Sequence, residues 1–218
     1  MNYFSHFIFD HIPLNHDYNT GLLLPDITRK KITKFNYDVN MPSEFSDLFL
    51  GCKRHYESDK KFHSSNFFHQ HYNHLNHLIS HSNYILDVER KWFISHIILE
   101  LLIDRIFVKH QRSLLDNFYL SLIEVDEMKL RTYLKFFGME NIDEFFVFFN
   151  HFRSSQYIYH YTDNNKFMYS LNRIMMRANV KPLTQKNSDL ILDVILEFEK
   201  TYFDQAESIM NEMKILLK

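Results

Sequence analysis

Residues 92–108 read WFISHIILELLIDRIFV, and this stretch decides the fold class. Trp92, Phe93, Leu99, Ile103, Ile106 and Phe107 recur at three- and four-residue spacing, the mark of one broad apolar helix face. His96, Glu100 and Asp104 step along that face at i, i+4 and i+8. With Arg105 they make the stretch too polar for a membrane span.

The same helical signal recurs on both sides. A helix is expected from Asn2 to Asp10, stopped by Pro13, then a polar loop through Asn19 and a short element over Gly21 to Asp26. An irregular stretch reaches Met41. Pro42 opens a long helix to Phe62, and Ser64 or Ser65 caps another to His81. Asp87 caps the helix that ends near His110. Further helices are expected near 113–124, 126–137 (stopped by Gly138), 142–153, 165–179 and 185–217. Only 3 Gly and 4 Pro in 218 residues argue against a hairpin-rich fold and against a glycine-rich nucleotide loop. No repeat or linker interrupts the pattern. The expectation is therefore one all-α domain over residues 1–218, a compact multi-helix bundle.

Composition narrows function by exclusion. Twenty-five basic against 27 acidic side chains leave a net charge of −2, which removes the electrostatic case for nucleic acid. Cys52 is the one cysteine, so neither a disulfide framework nor a multi-cysteine zinc site is available, and a cytoplasmic setting fits. The opening MNYFSHFIFDHI lacks the basic region and cleavage site of a signal peptide. Fourteen histidines exceed what the Asn-, Lys- and Phe-rich bias of the chain explains, and His is the commonest metal ligand.

Polar groups on apolar faces carry the functional signal. The helix from Pro42 shows an apolar stripe of Phe45, Leu48, Phe49, Cys52, Tyr56 and Phe62, with His55 and Asp59 inside it. A buried carboxylate costs several kcal/mol unless it is paired, protonated or bound to metal. Two helices with interior His and carboxylates, plus His6 on an apolar N-terminal helix, fit either satisfied core polar groups or a shared metal site of the kind helical bundles build. His69, His71, His74, His77 and His81 crowd one helix whose core face is already supplied by Leu75, Leu78 and Ile79, so they read as a solvated face. Cys52, in its apolar stripe, reads as core filler.

Five segments carry a family resemblance. Met1-Asn2-Tyr3-Phe4-Ser5-His6 resembles the MNFLAH opening of the bacterial acyl carrier protein phosphodiesterases. Gly21-Leu22-Leu23-Leu24-Pro25-Asp26 resembles their GNLLADF segment, and Gly51-x3-His55-x3-Asp59 their GxxxHRxID segment. Glu100-x3-Asp104-x5-His110 follows the spacing of D-x3-DHFLxxH, and Leu171-x-Arg173-x3-Arg177 is similar to L-x-R-M-x-x-R. The matches keep their order from the first residue to Arg177. Leu22, Glu100, Arg105 and the run Lys60-Lys61-Phe62-His63 depart from the family pattern.

The resemblance implies an HD-phosphohydrolase-like helical fold, a divalent metal (manganese or magnesium) and hydrolysis of the phosphodiester that joins 4′-phosphopantetheine to a carrier-protein serine, within fatty-acid metabolism. On it, His6, Asp26, His55 and Asp59 are metal ligands and Asp104 is a further ligand or the general base, with Asp26, Asp104 and Glu100 the catalytic carboxylates. His96 and Glu100 orient the ligands. Arg173 and Arg177 clamp a phosphate, and Lys53, Arg54, Lys60 and Lys61 form a basic flank for an acidic acyl carrier protein. Hydrolysis of a nucleotide or other small phosphoester, and a non-enzymatic helical binding protein, are the competing readings.

Overall fold

Most of the local helix signals act where the sequence puts them. In the computed structural model, which describes residues 1–28, 41–81, 88–202 and 206–217, the described residues hold α-helices and short 3-10 segments and no strand. The protein is all-α. The helices are α1 (Tyr3–Asp10), α2 (His16–Gly21), α3 (Leu24–Ile27), α4 (Ser46–His63), α5 (Asn66–His81), α6 (Lys91–His110), α7 (Arg112–Glu124), α8 (Glu127–Phe136), α9 (Ile142–Ser155), α10 (Asn164–Arg177), α11 (Gln185–Tyr202) and α12 (Ala206–Leu217). Short 3-10 segments cover Ser43–Phe45 and Tyr157–Thr162.

The ends have chemical causes. Ser65 Oγ accepts from the Phe68 amide at 3.0 Å and caps α5. Asp126 and Asp163 do the same for α8 and α10. Gly138, at φ +84°, ends the α8 segment in the left-handed region. Most of the irregular stretch before Met41, and the cap expected at Asp87, lie outside the described residues.

Three expectations need correction. The loop expected before Asn19 contains α2, whose Asn15 cap accepts from the Tyr18 amide at 3.0 Å. Its inward residues are Asn19, Thr20 and Gly21, so no apolar stripe announces it. Tyr56 and Trp92 stand exposed, although spacing puts them on apolar faces. The inner face of α4 is instead Leu48, Gly51, Cys52, His55, Ser58 and Phe62. The 185–217 segment contains two described helices, α11 and α12.

Contacts sort the chain into two compact units. The first comprises Tyr3–Lys60 and Arg112–Tyr157. In it α7 packs on α1, α2 and α9, and α8 on α9. Phe118 lies at the centre of its core, edge-on to Phe4, Phe7 and Tyr119 with ring centroids 4.9 to 6.0 Å apart.

The second unit comprises Met1–Asn2, Lys61–Gln111 and Ile158–Lys218. Its axis is α6, against which α5, α10 and α12 pack. Residues 101–108 of α6 are buried on every side, as expected of a helix that is apolar nearly all round. Asp104 and Arg105 are the exceptions within that run. Arg105 is held by Asn164 at 2.7 Å and Glu199 at 3.4 Å, and its guanidinium lies 5.3 Å from the Phe167 ring centre. Burial lowers its pKa, against the opposing pull of Glu199 and Asp163. No described helix is long and apolar enough to cross a membrane.

Candidate metal centre

Two of the three glycines build the site. A Cβ on Gly21 would stand 2.3 Å from the Leu48 carbonyl oxygen, and one on Gly51 would stand 2.2 Å from the Tyr18 carbonyl oxygen. Only glycine lets the end of α2 meet α4 backbone to backbone. The contact delivers the Leu22 carbonyl to α4, where it accepts from His55 Nδ1 at 2.8 Å. The chain then turns through Leu22, Leu23 and Leu24, all fully buried, into α3. Pro25 and Asp26 lie in the first turn of that short helix, and Asp26 Oδ1 comes to 3.7 Å from His55 Nε2.

His6 arrives from α1, between the buried Phe4 and Phe7. Its ring stacks on that of His55 with centroids 3.9 Å apart. Ser58, on the same face of α4 as His55, brings its Oγ to 3.3 Å from His6 Nδ1. That hydroxyl also lies 3.0 Å from the Arg54 carbonyl and 3.1 Å from the His55 carbonyl, both of which can only accept. Its one proton therefore goes to the backbone, and it accepts from His6 Nδ1–H. By the same logic the Leu22 carbonyl fixes a proton on Nδ1 of His55. In their neutral forms both imidazoles then carry the lone pair on Nε2, the tautomer a metal ligand needs.

Those nitrogens face carboxylates. His6 Nε2 is 3.8 Å from Asp59 Oδ1, matching the 3.7 Å between His55 and Asp26. Ligating atoms of His6, Asp26 and His55 all lie within 4.8 Å of one another. The separations exceed hydrogen-bond length and leave room for an ion between N and O donors. A set of imidazole nitrogen and carboxylate oxygen suits manganese, iron or zinc. The histidines are buried, whereas Asp26 and Asp59 are 36 % and 34 % exposed. The site therefore opens to solvent on its carboxylate side.

Arg54 departs from its expected role. It does not stand free on a basic flank: its Nε donates to Asp10 Oδ1 at 2.6 Å, tying α4 to the end of α1. Lys53 is exposed, 4.0 Å from Glu57, and Lys60 is exposed too. Lys61 is half-buried, with Nζ 3.5 Å from the Leu217 carbonyl. Arg173 and Arg177 are exposed on α10. The structure thus gathers His6, Asp26, His55 and Asp59 in the first unit.

Asp104 and Glu100 belong to the second unit. Asp104 is fully buried and accepts from Asn2 Nδ2 at 2.8 Å. Glu100 engages His63, His96 and the Met1 α-amino group. Sequence reasoning gave no role to Ser58, the Leu22 carbonyl or His63. His63 had a signal: His55, Asp59 and His63 repeat the i, i+4, i+8 step of His96, Glu100 and Asp104.

The remaining notable groups serve packing. Cys52 is buried, and burial pushes its thiol up to about 12. On α5, His69, His77 and His81 are exposed. His71 lies edge-on to Phe67 at 4.5 Å, and burial, then the nearby His74, lowers its pKa. No family model, curated protein or solved structure matches this chain.

Proposed function

We propose that the protein is a metal-dependent phosphodiester hydrolase whose ion is held by His6, His55 and Asp26, with Asp59 beside them. One observation carries the reading: three ligating atoms from three separate segments lie within 4.8 Å of one another, with both imidazoles oriented from behind. When bound, a divalent ion supplies a water of lowered pKa and polarises a phosphoryl oxygen. Asp26 or Asp59, half-exposed on the open side, would accept a proton from an attacking water. The buried histidines form the base of the site. Manganese or magnesium is the ion the family resemblance implies, and the nitrogen donors favour manganese.

Release of 4′-phosphopantetheine from holo acyl carrier protein, on a fold of the HD-phosphohydrolase kind, is the specific substrate proposal. It rests on the five resembling segments. A small phosphoester or nucleotide is the second reading. It is favoured by the engagement of Arg54 with Asp10, which leaves Lys53 and Lys60 as the exposed members of the basic flank on α4.

The test uses the full chain with added manganese, holo carrier protein and a chromogenic phosphodiester. Loss of the phosphopantetheine mass from the carrier protein supports the first substrate. Turnover of the chromogenic ester alone supports the second. No turnover of either with manganese, magnesium or zinc rejects the hydrolase reading.

A further inference from the structure

We propose that His63, His96 and Glu100 form a second divalent-metal site, of the two-histidine, one-carboxylate kind, in the second unit. The proposal does not rest on the hydrolase reading, since it shares no residue with the set His6, Asp26, His55 and Asp59.

His63 Nε2 lies 3.1 Å from His96 Nε2 and 3.0 Å from Glu100 Oε1, and His96 Nε2 lies 2.9 Å from the same oxygen. The three donor atoms form a nearly equilateral triangle. Ligands on one face of an octahedral ion, bound at about 2.1 Å, stand about 3.0 Å apart, against about 3.4 Å for a tetrahedral ion. The observed edges match the octahedral face. Such a face leaves its opposite positions open to water or another ligand.

Hydrogen bonding alone leaves the triangle unsatisfied. Each neutral imidazole carries one N–H and one lone pair. If both Nε2 atoms donate to Glu100, the two N–H groups confront each other across 3.1 Å. If one Nε2 accepts from the other, it presents a lone pair to the carboxylate. Hydrogen bonds satisfy at most two of the three edges. A cation bound to all three atoms satisfies every edge at once, with both imidazoles deprotonated at Nε2.

The surroundings are built to hold this arrangement. His96 and Glu100 stand one turn apart on α6, and His63 is the last residue of α4. Phe68 packs edge-on against both rings, 4.9 Å from His63 and 5.1 Å from His96, and Phe62 lies 5.2 Å from His63. These walls fix the ring planes and lower the local dielectric, which strengthens charge attraction. Glu100 is kept ionised: burial acts to raise its pKa, but the Met1 α-amino group and the two histidines hold it well below the usual carboxylate range. That amino group sits 3.2 Å from the same Oε1. His63 and His96 remain 28 % and 31 % exposed, so an ion can reach them. Imidazole and carboxylate donors select a first-row ion such as iron(II), cobalt(II) or zinc over calcium, which takes oxygen ligands.

The probe is zinc, with cobalt(II) as its spectroscopic stand-in, added to chelator-stripped full-length protein. Stoichiometry is read by elemental analysis after gel filtration, on wild type, on His63→Asn/His96→Asn and on Asp26→Ala/His55→Ala. The expected result is that the first double variant loses one equivalent, with affinity for it reduced at least about 100-fold. The second double variant keeps that equivalent. If the hydrolase site binds nothing, wild type binds one equivalent and only the His63/His96 variant loses it. If this proposal is wrong, the His63/His96 variant binds as many equivalents as wild type.

Histidine footprinting with diethyl pyrocarbonate on wild type gives a readout that does not depend on a variant folding. Zinc should protect His63 and His96. Protection confined to other histidines, such as His77 and His81 on α5, overturns the proposal.

Discussion

Replacing Gly51 with alanine tests the link between backbone packing and the site. The new Cβ would stand 2.2 Å from the Tyr18 carbonyl oxygen and 2.8 Å from the Leu22 nitrogen. Both neighbours are backbone, so no side chain can rotate away, and α2 must withdraw by roughly 1 Å to restore ordinary contact. Overpacking of this kind costs about 3 kcal/mol, and the better helix propensity of alanine returns about 1 kcal/mol. The net is about 2 kcal/mol, roughly a 30-fold change in the unfolding equilibrium. The same withdrawal pulls the Leu22 carbonyl away from His55 Nδ1, now 2.8 Å away, and frees the ring to turn. Loss of an orienting partner typically weakens metal affinity by about 10- to 100-fold. Urea denaturation and cobalt titration read the two effects. Gly138→Ala is the control: it carries φ +84° with nothing within 4 Å of a new Cβ, so it should cost about 1 kcal/mol of backbone strain and leave metal binding untouched. Gly21→Ala opens the same crossing from the other side, so the double variant should cost less than the sum of the singles. A Gly51→Ala protein as stable as wild type, with unchanged affinity, would refute the reasoning.

Four further outcomes are expected. Asp26→Ala should abolish phosphodiester turnover while shifting stability by no more than about 0.5 kcal/mol, because the side chain is a third exposed, and retained turnover counts against the hydrolase reading. Arg54→Ala removes the guanidinium from which Asp10 Oδ1, on a side chain only 3 % exposed, accepts at 2.6 Å, and should cost about 2 kcal/mol in urea denaturation, with a cost under about 0.5 kcal/mol contradicting a stabilising pair. His71, with a lowered pKa, contributes stability that is present above the unfolded value of about 6.5 and is lost as pH falls through the folded one, because the unfolded chain takes up the proton first. Wild type should therefore lose stability relative to His71→Gln on acidification, and parallel stability curves exclude this. The Cys52 thiol, buried and pushed up to about 12, should resist a thiol reagent until denaturant reaches the unfolding transition, whereas prompt labelling in buffer contradicts its burial.

Hydrophobic periodicity carried the helical class and most helix positions, because α4 to α11 bury apolar stripes whose spacing is visible in the chain. It could not show α2, which buries Asn19 and Thr20. Asn19 makes hydrogen bonds with both the amide and the carbonyl of Ile12, and Thr20 Oγ1 donates to the Ser121 carbonyl at 3.3 Å. A helix stabilised by satisfied polar groups has no apolar period to read. His6 and His55 were legible as titratable groups among aromatic and aliphatic neighbours. Their tautomers were not, because they are set by a serine hydroxyl and a main-chain carbonyl whose sequence identities carry no metal-binding signal. Gly51 was visible only as one position of a motif. Its reason is steric, and the approach of the Tyr18 carbonyl that supplies it comes from a helix the periodicity did not reveal.

On the hydrolase reading, the exposure pattern of the first-unit site bears on how an anion binds. Asp26 and Asp59 occupy the open side while both histidines lie beneath them. Among the described residues, a phosphodiester anion approaching that side meets the Asp26 and Asp59 carboxylates. Unit charges about 4 Å apart at a protein surface repel by about 4 kcal/mol at an effective dielectric near 20, which lowers affinity by roughly three orders of magnitude. Lys53 and Lys60 are exposed lysines on α4, and charges in such positions recover little of that repulsion in physiological salt. On the hydrolase reading, a divalent charge balances the two carboxylates, so phosphodiester affinity and turnover depend on the same four side chains. Removing either carboxylate then acts in two opposed directions: it relieves the repulsion that an anion feels and weakens the hold on the ion that the chemistry needs. A docking role without chemistry predicts only the first of these, tighter anion binding on loss of Asp26 or Asp59. Turnover and anion affinity measured together on Asp26 and Asp59 variants therefore separate a hydrolytic centre from a passive anion pocket.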